Sequence, residues 1–277
     1  MKLDTHCHVK EGSLDSKVSI DEYITSLKEQ GFDGMLVTDH DTYKGYRHWK
    51  NTIKGKKHED FVVLKGIEYD TGDAGHIICI MPEGVKMRLL EMRGMPVAVL
   101  IDFVHRHGGI LGPAHPCGEK YLSFTNTKKY YRSPEIIKRF DFVEAFNACE
   151  SPESNEAAMK LAKKYKKPGI GGSDAHRPDC IGMAYTELPE RVTCETELIS
   201  LIRSKAPIEA GGVIYGKTAK DKMGKANKLL VYSFWFYNKA GDLMKRHKRK
   251  LKGEIENPID PIDPIEIAYL KSMQNRS

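Results

Sequence analysis

The chain has 277 residues, 40% of them hydrophobic and 30% charged, with 44 Lys+Arg against 38 Asp+Glu for a formal net charge of +6. This length and apolar content provide a sizeable core in one main domain and exclude a disordered chain, and no apolar run reaches the roughly 18 residues of a membrane span. The charge is divided unevenly. Residues 217–252 hold twelve Lys/Arg against Asp221 and Asp242, a local surplus of +10, which leaves −4 on the remainder. Six cysteines without a C-x-x-C pair, and a start (Met1-Lys2-Leu3-Asp4) without an apolar leader, lead to the expectation of a reduced, cytoplasmic protein.

Up to about residue 214 short apolar runs alternate with helical spacing. Lys2–Thr5 is expected to be a strand. Ser19-Ile20-Asp21-Glu22 is a capping-box start, and Ile20, Tyr23, Ile24 and Leu27 repeat at helical spacing until Gly31. Gly34–Thr38, Phe61–Ile67 and His76–Met81 read as strands, the last two joined by the turn Asp70-Thr71-Gly72-Asp73. Pro96–His107 starts with Pro and stops at Gly108-Gly109, as a helix does. Ile110–Gly112, Phe142–Phe146 and Gly169–Gly172 are further strands, with a helix near Glu153–Tyr165, another at Glu195–Ser204 and a last strand near Pro207–Val213. Strands alternating with helices predict an α/β protein with a parallel sheet closed as a barrel.

After Gly216 the character changes. A dense apolar and aromatic run, Leu229–Tyr237, leads to the basic stretch Lys245–Lys250 and then to a proline-paced end, Asn257–Pro264. Residues 1–216 are therefore expected to form the barrel, and 217–277 a C-terminal helical, basic appendage too short for its own core.

The rim of a parallel barrel, where strands end, is where such folds place chemistry. Here the predicted strand ends read Thr5-His6-Cys7-His8, Thr38-Asp39-His40-Asp41, Gly66-Ile67-Glu68, Ala114-His115-Pro116 and Ser173-Asp174-Ala175-His176, with His76 opening the fourth run. Alternate residues of an extended strand face the same way, so His6 and His8 can grip one cation, as can Asp174 and His176. Imidazole suits zinc, iron and manganese, and a carboxylate can bridge two ions. Each cluster has a bland alternative: His115 can simply cap a strand, and His76 can be a satisfied core histidine. Five clusters at successive rims make a metal site the better reading.

His6-x-His8, Thr38-Asp39-His40-Asp41, Gly66-x-Glu68, His115-Pro116 and Gly172-Ser173-Asp174-x-His176 resemble, in order, the motifs of the PHP (polymerase and histidinol phosphatase) superfamily. The resemblance implies a distorted (β/α)7 barrel that hydrolyses phosphoesters with two to three divalent ions (Mn, Zn or Fe). It implies a first ion on His6, His8, Glu68 and Asp174, and a second bridged by Glu68 to His76 and His115. Asp15, His40 and His176 would hold a third. In the mechanism it implies, a metal-bridging hydroxide attacks phosphorus, Asp174 shuttles the proton, and His40 or His176 assists the leaving group.

Arg177 is expected either to pair with a substrate phosphate or with Asp179. Asn147 and Glu144, on a strand end, are read as substrate contact or as orienting a ligand imidazole. Tyr43, Tyr46, Arg47 and His48 are expected in a packed loop, and Cys7 and Cys117 as packing thiols. The expected substrate is a small phosphorylated metabolite or nucleotide. A 5′–3′ exonuclease is the enzymatic alternative, with 217–252 contacting nucleic acid, and a nucleic-acid-binding or regulatory module with a structural metal site is the non-enzyme one.

Overall fold

The structure is a computed structural model that describes residues 1–119 and 122–215; the expectations for 217–277 lie outside them. In chain order the elements are β1 (Lys2–Cys7), α1 (Ile20–Glu29), β2 (Gly34–Val37), α2 (Lys44–Thr52), β3 (Val62–Asp70), β4 (His76–Ile80), α3 (Val97–Arg106) and β5 (Ile110–Pro113). Then follow α4 (Lys128–Arg132), β6 (Val143–Asn147), α5 (Pro152–Tyr165), β7 (Gly169–Gly172), β8 (Ala184–Glu187), α6 (Glu195–Arg203) and β9 (Glu209–Gly212).

Local chemistry accounts for several boundaries. At α1 the Ser19 side chain accepts from the Glu22 N–H, while the Glu22 carboxylate accepts from the Ser19 N–H at 2.9 Å, so the first turn's donors are satisfied. The helix buries Ile20, Tyr23, Ile24 and Leu27 on one face, each contributing about 2 kcal/mol. Ser151 caps α5 by accepting from the Ser154 N–H, with Pro152 supplying the fixed φ of a first turn.

Seven strands form one curled sheet in the order β5-β4-β3-β2-β1-β8-β9, and β6 and β7 form a parallel pair of their own. Only β1–β2, β2–β3 and β6–β7 are parallel; β3–β4, β4–β5, β1–β8 and β8–β9 are antiparallel. The expected all-parallel sheet is thus corrected to a mixed one. Residues 71–75 are too few for a crossover, so β4 can only return antiparallel beside β3. Strand β8 and helix α2 had no expectation behind them, and Tyr46, Arg47 and His48 stand on α2 rather than in a loop, with Tyr43 as its cap.

The period-2 pleat splits the core in two. Met35, Val37 and Val63 join α1, Trp49 and Phe61 on one side of the sheet. Leu36 and Leu64 face the other way and meet Leu3, Ile78, Ile80, Ile110, Phe142 and Ile170 in a single cluster. Seven strands or their flanks therefore contribute to one interior, which Leu198, Ile199, Leu201 and Ile202 of α6 extend. The sheet curls around this cluster and raises the strand ends into a common rim. No helix of the described residues is long and apolar enough to cross a membrane.

Candidate metal centre

The rim is pinned by backbone and side-chain bonds between neighbouring strand ends. Isolated bridges join Cys7 to Ala175 and His40 to Glu68, and the Asp174 N–H donates to the His6 carbonyl at 2.8 Å. Asp4 lies two residues before His6, on the same strand. Its carboxylate accepts from the Ser173 N–H at 2.9 Å, from the Ser173 hydroxyl, and from the Tyr23 hydroxyl at 3.0 Å, which fixes β1 against β7. Asp39 Oδ1 accepts from the Val9 N–H at 2.9 Å and from the Ser13 hydroxyl at 3.0 Å, so the turn after β1 is tied to the end of β2. His115 and Asp174 both adopt left-handed backbone, φ 30° and 51°, a strain on the order of 1–3 kcal/mol each that directs their side chains inward.

Glu68 occupies the centre at 1% exposure. Its Oε2 lies 3.3 Å from His6 Nε2, 3.3 Å from His8 Nε2 and 3.0 Å from His40 Nδ1. Its Oε1 lies 2.8 Å from His76 Nδ1 and 3.0 Å from His115 Nε2. Asp174 Oδ1 stands 3.8 Å from His6 Nε2, 3.3 Å from His8 Nε2 and 3.6 Å from His176 Nδ1. Nearer solvent, Asp15 Oδ2 approaches His40 Nε2 at 3.5 Å and His176 Nε2 at 3.2 Å, its side chain half exposed. All nine residues expected as ligands therefore meet in one place. His76 reaches the rim from the start of its strand because β4 runs antiparallel to its neighbours β3 and β5.

The donor atoms of this cluster are partly orphaned. His6 Nε2, His8 Nε2, Glu68 Oε2, His76 Nδ1 and His115 Nδ1 are buried without a hydrogen-bond partner, an arrangement that costs stability unless something binds them. Among the described residues every ion-pair partner of Glu68 is an imidazole. Burial by itself raises the Glu68 pKa, but His76, His40 and His6 outweigh it and hold the carboxyl well below its usual range. Burial lowers His6 as well, yet Glu144, Glu68 and Asp174 lift it well above its ordinary value. His8 is pushed down to about 4 by burial and then by His176 and His40. Nitrogen and oxygen donors converging without partners fit divalent metal ions of the zinc, iron or manganese kind. Among the described residues three overlapping groups are close enough to hold an ion: His6-His8-Glu68, His40-Glu68-His76 and His8-His40-His176.

The surrounding residues orient the candidate ligands. Glu144 Oε1 accepts from His6 Nδ1 at 2.8 Å; a carboxylate can only accept, so the proton sits on Nδ1 and Nε2 faces the cluster. The other Glu144 oxygen accepts the His115 N–H and the Asn147 amide at 3.1 Å. Asn147 is buried, and its amide also lies 3.5 Å from Asp174 Oδ2. Arg177 is turned aside: its guanidinium pairs with Asp179 at 3.1 Å and reaches Cys180 Sγ at 3.4 Å. Cys7 is buried in the α1-side core, away from the ligands. Asp4, Ser13, Tyr23 and Ser173 were not anticipated. For Asp4 the signal was available, since Asp4-x-His6-x-His8 repeats on one strand face; Ser13 and Tyr23 reach the site only through tertiary packing.

A rim of imidazoles around a central buried carboxylate, on a curled α/β sheet, suits a metal-dependent hydrolase. The sequence pattern described as the PHP domain matches residues 4–174, and the PHP-associated pattern matches 152–207. The chain belongs to the PHP domain family, and it is a metal-dependent phosphoesterase. Among solved structures it is similar to PsfC from Pseudomonas syringae PB-5123 (17% identity, TM-score 0.57, 86% of this chain and 98% of that one). It is also similar to a two-domain protein from Bacteroides vulgatus ATCC 8482 containing a predicted PHP-like metal-dependent phosphoesterase (16%, TM-score 0.51, 77% and 65%). A third is Endonuclease Q in complex with a 27-mer duplex carrying an abasic lesion (18%, TM-score 0.51, 77% and 60%). At these identities the likeness is one of fold, and the chain spans under two thirds of the latter two. No curated protein matches it in sequence.

Proposed function

We propose that the chain hydrolyses phosphate monoesters, of a small metabolite or nucleotide, at a multinuclear metal centre bridged by Glu68. The observation that supports this is the two-sided environment of that carboxylate: one oxygen faces His6, His8 and His40, the other His76 and His115. His6, His8 and Asp174 would complete one ion's ligands, His76 and His115 a second's, and Asp15, His40 and His176 those of a third at the mouth. Bound there, two or three divalent ions would supply an activated water and neutralise the phosphoryl oxygens.

The chain's own groups do the rest. Glu144 keeps the His6 Nε2 lone pair aimed at the cluster. Asp174, with Oδ1 turned to His6 and His8 and Oδ2 toward the Asn147 amide, is placed to take the proton of the attacking water. His40 and His176, the more exposed imidazoles, stand where the leaving oxygen would depart. Asn147 acts as a positioning residue for Asp174 and Glu144 rather than as a substrate contact, and Arg177 is held by Asp179. Residues 1–216 form the catalytic domain in this reading, with 217–277 as a basic, aromatic appendage.

The fold likeness to Endonuclease Q, together with the +10 segment 217–252, favours a second reading as an exonuclease or phosphodiesterase on nucleic acid. The full chain with Mn²⁺ should be assayed on 4-nitrophenyl phosphate, bis(4-nitrophenyl) phosphate, mononucleotides and a 5′-labelled oligonucleotide. A kcat/KM for monoesters at least about tenfold above diesters is expected. Faster diester cleavage with release of nucleotides would replace this reading with the second.

A further inference from the structure

The end of the sheet opposite the metal centre carries a cleft of about 460 Å³, within the roughly 300–1,000 Å³ range of small-molecule sites. It is lined by Lys138, Arg139, Lys166, Lys167, Arg203 and Lys205, with Asp141 as the carboxylate in the lining; Lys138 also pairs with Glu135, Arg139 with Asp102, and Arg203 donates to the Gly109 carbonyl. These residues come from three segments that the fold brings together. Lys138 and Arg139 precede β6, Lys166 and Lys167 lie between α5 and β7, Arg203 ends α6, and Lys205 follows it. Strand β7 runs between the two sites: from Pro168 to Asp174 at about 3.3 Å per residue the chain covers roughly 20 Å, so neither site reaches the other.

Helix C-termini attract cations, and one or two lysines per helix need no other account. Three features exceed that. Lys166 and Lys205 both hold left-handed backbone, φ 53° and 56°, where glycine is the unstrained choice, so two exposed cations sit at positions that disfavour any side chain. Lys167, half-buried, has its pKa lowered by burial, with Asp141 opposing and Lys205 adding to the lowering, and its ammonium donates to the Lys138 carbonyl at 2.7 Å, which holds it on the cleft wall. Asp141, the carboxylate present, is already engaged by His105 at 2.8 Å and by the Leu111 N–H at 2.9 Å.

We propose that this cleft is a second anion site, taking a compact ligand with two or more linked phosphates, such as the oligophosphate of a nucleotide. Cations from separate elements converge on one volume of that size, which suits several closely spaced phosphates better than a long backbone, whose contacts would string along the surface.

Titration calorimetry of the full-length, metal-loaded protein with inorganic tripolyphosphate tests this, using the double variant Lys166→Gly/Lys205→Gly. Both substitutions put glycine where φ is positive, so lost binding would not be lost folding. Two binding events are expected in the parent, one of which weakens at least tenfold in the double variant while kcat and KM on the aryl phosphate stay unchanged. Glu68→Ala should leave that event in place. The proposal is overturned if the double variant binds as the parent does, or if Glu68→Ala abolishes all tripolyphosphate binding. It is also overturned if a 20-nucleotide single strand displaces tripolyphosphate from the cleft at lower concentration than tripolyphosphate itself requires.

Discussion

Glu68 is buried among five imidazoles, and a carboxylate in such a place is strongly unfavourable without opposing charge. The protein meets this with imidazoles, protonated or joined by a cation, and the surrounding residues keep them aimed. Glu144→Ala should therefore lower metal affinity about 10- to 100-fold with the fold retained, as judged by metal titration and circular dichroism. The electrostatics also set a pH dependence. His6 and His40 sit well above the ordinary imidazole pKa, burial being outweighed by neighbouring carboxylates, so both are protonated in the metal-free protein at neutral pH. Metal must displace those protons, and apparent affinity should rise with pH, about tenfold per unit for each proton released. Equal affinities at pH 6 and pH 8 would contradict this. At this scale much was legible in advance. The pairs His6-x-His8 and Asp174-x-His176 follow from strand spacing, because alternation on a strand is a local rule, whereas the full set of nine candidate ligands, with Asp15 in a loop, comes from the family resemblance. Glu144's grip on His6 and the strain at Asp174 depend on where distant strands meet, which spacing does not encode; the Arg177–Asp179 pair is local and was one of the two readings of Arg177.

Elements reach the site through close backbone approach, most clearly at β7. A methyl placed on Gly172 would lie 2.3 Å from His6 Cβ and 2.5 Å from the His6 nitrogen, so only glycine lets β7 lie against β1. Gly172→Ala should force the strands apart and carry Asp174 away from His6 and His8. Loss of metal and at least a hundredfold loss of turnover are expected, alongside a destabilisation of about 1–3 kcal/mol in urea. Full activity in this variant would mean that the β1–β7 contact does not set the site. The helices α1, α3, α5 and α6 were readable from caps, proline starts and apolar spacing. Helix α2 was not, because it buries only Gly45 and Trp49 and offers no apolar stripe. Strand β8 escaped for a related reason: Ala184–Glu187 is four residues long and only half buried, and its place between β1 and β9 is a matter of long-range pairing. The antiparallel turn at β4 was implicit in its short connection, yet the alternation elsewhere favoured a parallel sheet.

Over the described chain as a whole, one interior cluster supports the rim from below, while the rim holds orphaned polar atoms. Metal should therefore act as a stabiliser of the native state. At a thousandfold excess over its Kd a single ion contributes about 4 kcal/mol, so chelation should lower Tm on the order of 10 °C. An unchanged Tm after exhaustive chelation would show that the cluster does not depend on a cation. The central claim, that Glu68 bridges the ions that hydrolyse phosphoesters, is tested most directly by metal analysis and aryl phosphate turnover of the full chain and its Glu68→Ala variant, purified in parallel. Two or more divalent ions per parent chain are predicted, with both metal content and kcat/KM falling at least about a hundredfold in the variant. A variant that keeps the parent's metal content and turnover would contradict the account.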